Sequence, residues 1–133
     1  MRGWFEQYLQ VLAACGRGDS DDLEALLEYY GVPFVFTTDE VAGALLTPGQ
    51  VLDLARQQVD TMRESRYDHT VVLAASVSVL TATGALLAVD LARLRADETE
   101  IARFGATYLI LRGPEGLRIA AAATHGTRLD PPP

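Results

Sequence analysis

Few side chains here combine a reactive group with an apolar setting, and any chemistry must draw on them. Asp90 stands inside Ala85-Leu86-Leu87-Ala88-Val89-Asp90-Leu91-Ala92. A carboxylate buried in such a run must be paired, hydrogen-bonded or kept neutral, because an isolated buried charge is costly. Arg103 is its candidate partner, and Arg93 is a second charge in the same apolar stretch. His125 and His69 are the only histidines. An imidazole at the end of a strand suits a general base near neutral pH. Asp39 and Glu40 lie between two short apolar segments as further candidate bases, and Tyr8 and Tyr108 offer hydroxyls. Cys15, the single cysteine, reads as a small apolar helix residue, since no histidine lies near it in sequence. Two separated histidines, with neither Cys-x-x-Cys nor His-x-x-x-His, make no metal site. No Gly-x-Gly-x-x-Gly or P-loop supports a nucleotide, and Ser20, Ser76 and Ser78 sit in no nucleophile elbow. No cofactor is expected.

The elements that must position these groups centre on Gly84 to His125. Gly84 to Ala96, Ile101 to Arg112 and Leu117 to His125 read as three strands rich in Leu, Val, Ile, Tyr and Ala. Asp97-Glu98 and Gly113-Pro114-Glu115-Gly116 read as the turns between them. Tight connections make the strands antiparallel. With those turns Leu91 faces Phe104, Asp90 faces Gly105, Ile110 faces Ile119 and Tyr108 faces Ala121. Alternation then puts Leu87, Val89, Leu91, Arg93, Phe104, Tyr108, Ile119 and His125 on one face, the larger and more aromatic one, taken as the core side. Asp90, Arg103, Leu86, Leu94, Ile101, Leu109 and Arg118 fall on the other. The expectation is an Asp90–Arg103 ion pair on that outer face, between diagonal neighbours. A slip of one residue in either turn would exchange the faces.

Upstream, Trp4 to Cys15 carries apolar residues at helical spacing. Gly16-Arg17-Gly18 breaks it, and Leu23 to Tyr30 makes a short second helix that Gly31 stops. Val32 to Thr37, containing Pro33, reads as an edge strand with Val41 to Leu46 as its hairpin partner. Thr47-Pro48-Gly49-Gln50 is a capping box with Pro at the first helical position, opening a helix to about Ser65. His69 to Thr81 is a long strand. Residues 127–133, ending in three prolines, read as a flexible tail after a single domain of 1–126.

A chain of 133 residues can bury a real core as one domain. The net charge of −7 argues against a nucleic-acid partner, because phosphate binding needs a basic face. No apolar run reaches membrane-spanning length, and Glu6 and Gln7 interrupt any signal-like start. With one cysteine no intrachain disulfide forms, so the expected compartment is the cytoplasm.

The order helix, helix, short hairpin, long helix and four long strands resembles the nuclear transport factor 2-like superfamily. That superfamily is an α+β, cystatin-like cone, a strongly curved antiparallel sheet packed on three helices, shared with ketosteroid isomerases and SnoaL-like polyketide cyclases. The resemblance rests on Trp4-Phe5 with Tyr8, on Leu23 to Tyr30 running into Val32-Pro33-Phe34, and on Thr107 to Arg112 followed by Gly116-Leu117-Arg118-Ile119. It covers nearly all of residues 4 to 125. Gly16 to Leu23 and Ala106 to Leu109 are similar to stretches in an actinobacterial-type branch of the superfamily. The resemblance implies a pocket between sheet and helices and a homodimer through the outer sheet face. The apolar outer set, with Leu86, Ala88, Leu94, Ile101 and Leu109, points to a covered face on its own account.

The resemblance also implies what a known enzyme of this cone would require. An isomerase needs a carboxylate base plus a tyrosine and a carboxylic acid as oxyanion donors, the acid held neutral at pH 7 by its apolar site. Asp39 or Glu40 stands near the base position and Tyr8 can donate, but Thr107 to Leu111 supplies no acid. An epoxide hydrolase of the limonene type needs two aspartates around an arginine, and Asp90 with Arg103 gives only one such pair. The cone hosts several kinds of function, so fold alone decides none of them. The first reading is a protein that binds a small, largely apolar molecule, with Tyr8, Arg93, Phe104, Tyr108 and His125 lining the pocket and His125 and Asp39 as catalytic candidates. The second is a non-catalytic dimer or partner-binding module whose cone is filled by Trp4, Phe5, Phe34, Phe36 and Phe104. An enclosed void of about 300 Å³ or more with His125 at its wall favours the first, and a solid interior the second.

Overall fold

The computed structural model describes residues 1–126, and the proline-rich tail expected over 127–133 lies outside them. Helix α1 (Arg2–Arg17) ends where Gly18 turns left-handed at φ 84°, the conformation that its missing side chain permits. The next segment is a 3-10 helix, Leu23–Glu28, rather than the short α-helix expected. Six residues are too few to make an α-helix stable alone, and the tighter turn is the usual form of so short a piece. The strand expected from Val32 starts earlier, so Gly31 is not a helix stop but part of β1 (Tyr30–Thr37). Strand β2 (Ala42–Leu45) returns across Thr38 to Val41, whose ends are joined by the Thr38 N–H to Val41 carbonyl bond of 2.7 Å.

Helix α2 (Pro48–Glu64) begins as the sequence predicts, with Thr47 Oγ1 accepting the Gln50 N–H at 3.2 Å. The Gln50 side chain accepts in turn from the Leu46 N–H at 2.6 Å, one residue beyond the usual capping box. Val51, Ala55, Val59 and Met62 form its buried stripe.

Strands β3 (His69–Thr81), β4 (Gly84–Leu94), β5 (Glu100–Gly113) and β6 (Gly116–Gly126) complete a six-stranded sheet in the order β2-β1-β6-β5-β4-β3. Neighbours are antiparallel except β1 and β6, whose parallel pairing makes the sheet mixed. The helices pack against one face, and Leu26, Leu87, Ile110, Ile119 and Cys15 are the largest of the fully buried side chains. Each fully buried Leu or Ile of this set contributes on the order of 2 kcal/mol of transfer free energy.

Two local irregularities decide which residues share a face. The β4–β5 connection is one residue longer than expected, with Arg95 donating to the Thr99 carbonyl at 2.9 Å and Glu98 left-handed at φ 69°. A bulge between the Arg93–Ala102 and Leu94–Glu100 pairs then restores the register, so Leu91 faces Phe104 and Asp90 faces Gly105 as read from the sequence. The β5–β6 hairpin behaves otherwise. Ile110 faces Ile119 as expected, but a bulge at Ala120 shifts every later pair by one residue. Tyr108 therefore faces Ala122 rather than Ala121, and His125 faces Gly105. Thr124 takes the inward place expected for His125.

Candidate functional site

A cavity of about 240 Å³ lies between the sheet and helix α1. Helix α1 supplies Tyr8, Leu9 and Leu12, one helical stripe, and α2 adds Gln58. The inward face of the sheet supplies Thr70, Leu91, Arg93, Ala102, Phe104, Tyr108 and Thr124. A larger and more open groove of about 610 Å³ lies at the start of β1, between Leu27, Tyr30, Val32 and Pro48 and the β5–β6 turn. The 240 Å³ cavity is the one surrounded by converging side chains.

Its polar groups are the Tyr8 and Tyr108 phenols, the Gln58 amide, the Thr70 and Thr124 hydroxyls and one cation, with Tyr30 behind Tyr8. Tyr8 and Tyr30 join their hydroxyls, and Tyr8 packs at 5.7 Å on Phe5, which itself lies 5.1 Å from Tyr108. Burial pushes the Tyr8 phenol well above its ordinary range, reinforced by the neighbouring Tyr30 and eased by the Arg93 charge. Burial likewise raises Tyr30 and Tyr108, again with Arg93 opposing. These hydroxyls stay protonated at neutral pH, so Tyr108 presents a hydrogen-bond donor rather than a base. Tyr8 and Tyr30 bond chiefly to each other.

Arg93 is the cation of the cavity wall. Arg17, Arg63, Arg103 and Arg118 each reach a carboxylate. Arg93 has no ion pair among the described residues; its guanidinium carbon lies 5.0 Å over the Phe104 ring instead. That cation–π contact holds the head against the cavity wall without neutralising it.

The remaining sequence candidates lie elsewhere. His125 is on the outer face, not at the cavity wall, and its ring covers Gly105 so closely that a Cβ there would fall 2.3 Å from the imidazole Cε1. Its Nδ1 donates to the Gly126 carbonyl at 2.9 Å, which leaves Nε2 as the free ring nitrogen. Asp90 also faces outward, and Asp90, Gly105 and His125 form one row across three strands. Asp90 and His125 line a second hollow of about 210 Å³ with Ser76 and Thr107. The expected Asp90–Arg103 ion pair does not form, because Arg103 is claimed by Glu100 three residues away at 2.8 Å. Asp39 is exposed in the β1–β2 turn and accepts the Gly126 N–H at 3.3 Å. His69 sits at the start of β3 between Asp68 (2.9 Å) and Glu98 (3.5 Å). Cys15 is fully buried, and burial pushes its thiol up, away from thiolate chemistry.

Tyr8, Arg93, Phe104 and Tyr108, all expected at the pocket from the sequence, meet in this one place. Gln58, Thr70 and Thr124 were not foreseen there. Gln58 had a signal, since it falls on the heptad positions of the α2 stripe, seven residues after Val51 and three after Ala55. Thr124 had none.

Among the described residues no group of three His, Cys, Asp or Glu side chains gathers as a metal site, and no helix is long and apolar enough to cross a membrane. The family model described as NTF2-like protein (DUF6841) matches residues 1–127. No curated protein matches the chain. Among solved structures, an NTF2-like protein of Pseudomonas aeruginosa superposes with a TM-score of 0.73 at 18% identity, covering 96% of this chain and 98% of that one. An NTF2-like protein with a cystatin-like fold from Novosphingobium aromaticivorans gives 0.71 at 15% identity, covering 94% and 78%. A ketosteroid isomerase-like protein of Erwinia carotovora atroseptica gives 0.64 at 12% identity, covering 92% and 89%. At such identities the likeness is one of fold.

Proposed function

Because this chain belongs to the NTF2-like family (DUF6841), we propose that its cone binds a small, largely apolar molecule between α1 and the sheet. The cavity is smaller than the void of about 300 Å³ set as the mark of a ligand site, and His125 is not at its wall. What supports the reading instead is a 240 Å³ space walled by Leu9, Leu12, Leu91 and Phe104 with Tyr108 and Arg93 among its polar groups. Its size lies between that of an engineered cavity of about 150 Å³ that takes benzene and the usual range for drug-sized ligands, so a molecule of about ten non-hydrogen atoms fits. The Phe5, Tyr8, Tyr30 and Phe34 aromatics fill only the interior beside it.

Binding is favoured over turnover because, among the described residues, the lining carries no carboxylate and no imidazole. A base of ordinary strength is absent from the wall, and the raised phenols cannot serve as one. The isomerase reading needs a base there, yet Asp39 is exposed in a turn and His125 is on the other face.

The outer face is assigned to a second copy of the chain. Its central strands present Leu86, Ala88, Leu109, Ala121 and Ala123 around Asp90 and His125. A face of small apolar groups with little net charge suits self-pairing through a two-fold axis.

The test of the ligand reading uses Ala102, which is exposed at the cavity mouth. A panel of single-ring compounds should raise the melting temperature of the native protein, and Ala102→Trp, which plugs the mouth, should abolish the shift. Equal shifts in both proteins would place the compounds elsewhere and remove the reading. For the dimer, Leu109→Arg should convert a dimeric species to a monomer in analytical ultracentrifugation. A monomer from the outset would reject that assignment.

A further inference from the structure

We infer that the ligand of this cavity carries a single carboxylate on a flat apolar body, with Arg93 as the group that selects it. The inference rests on the reading that the cone is a binding site and specifies its chemical class. Three observations converge. Arg93 lines the cavity with no ion pair among the described residues; Arg2, Arg56, Arg66, Arg95 and Arg112 also lack one, but Arg93 is the arginine of this cavity's lining. Among the described residues no other charged side chain lines the cavity. Phe104 holds the guanidinium from one side, at 5.0 Å, and so leaves its N–H fork to face an acceptor.

A guanidinium is a planar fork of five donors whose geometry matches the two oxygens of a carboxylate. A neutral carbonyl satisfies one prong of that fork. An ammonium ligand is repelled by it, and no carboxylate in the lining would receive one. The Tyr108 hydroxyl, kept protonated by burial, adds a donor to the same space. Leu9, Leu12 and Leu91 provide no hydrogen bond and can only cover hydrocarbon. Gln58, Thr70 and Thr124 add neutral hydrogen-bonding groups, and Arg93 supplies the charge, so the lining describes an amphiphile with one anionic end.

The overall charge of −7 opposes the approach of an anion. At physiological ionic strength that field is screened over about 8 Å, whereas the contact with a partly desolvated Arg93 is screened much less. The local attraction therefore governs equilibrium affinity, and the net charge slows association.

Phenylacetate and phenylacetamide share a shape and about ten non-hydrogen atoms, which the cavity volume allows. Titration calorimetry of the full chain at about 150 mM salt should find the acid bound at least about tenfold more tightly than the amide, the scale of one charge-assisted bidentate pair. Arg93→Met should erase that preference while leaving amide binding in place. Arg93→Lys, which keeps the charge and loses the fork, should keep part of it and guards against a misfolded methionine variant. Amide bound as tightly as acid, or a preference that survives in Arg93→Met, overturns the carboxylate inference and leaves the binding reading standing. If neither compound binds and 2-phenylethylamine does not bind either, the binding reading falls and the inference with it.

Discussion

Gly105 and His125 compete for one volume, and only a glycine lets the imidazole lie across the strand between Asp90 and β6. A Cβ at position 105 would stand 2.3 Å from Cε1 and 2.8 Å from Nε2 of the ring. Gly105→Ala should therefore cost about 1–2 kcal/mol, the usual penalty for overpacking, while the same substitution in a His125→Ala background should cost nothing or stabilise the strand. Urea denaturation of the four proteins in that cycle measures the difference. Additive effects would mean that the ring does not rest on Gly105. Residue identities made part of the site legible: an arginine amid Leu87, Val89 and Leu91, and tyrosines on apolar stripes, stand out in the sequence. Arg103 was misread because two acids competed for it. Glu100 lies three residues along the same chain, and no sequence pattern ranks it against a cross-strand Asp90.

A single extra residue in β6 sets the faces of the last strand. Ala120 to Ala123 are four alanines in succession, and identical side chains give no alternation by which a register could be recognised. The neighbouring β1 is irregular over the same stretch, where its pairing with β6 shifts between Tyr30 and Val35. Elsewhere the elements were readable because the pattern was strong: the Thr47 cap, the α2 stripe and the Leu91–Phe104 pairing all stand as the sequence predicts. The β4–β5 pairing survived through two offsetting departures, a longer turn and a bulge, which no local rule foresaw. The Ala120 bulge makes a direct test possible. Ala122 faces Tyr108 and packs against the core, whereas Ala121 pairs with Leu109 on the outer face. Ala122→Asp should lose several kcal/mol, on the order of 3, through a charge driven into the core. Ala121→Asp should leave the monomer folded by circular dichroism. The reverse ranking would restore the unbulged register and return His125 to the cavity.

The three phenols around the cavity link the whole fold to alkaline pH. Tyr8, Tyr30 and Tyr108 are all raised by burial in the folded chain, whereas the unfolded chain releases tyrosine protons near about pH 10. The native state thus holds protons that the unfolded state gives up, so their contribution is complete below that pH and declines as pH rises beyond it. Each phenol removes about 1.4 kcal/mol per pH unit and these three about 4, with Tyr67, also raised by burial, adding in the same direction. Against a typical stability of about 5–15 kcal/mol, this unfolds the protein within a few units. The sequence makes the experiment clean: all 11 basic residues are arginine, so no lysine titrates in the window. Cys15 acts in the same direction from about pH 8.5, its ordinary thiol range, because burial raises it too. Tyr108→Phe isolates the cavity contribution, since Tyr108, unlike Tyr8, has no phenol partner to lose. Denaturation midpoints followed from about pH 8 to about 11.5 should fall steeply in the native protein and less steeply, by one phenol's share, in Tyr108→Phe. A native profile that stays flat across that range would mean that the phenols are solvated, and with them the interior in which the cavity lies.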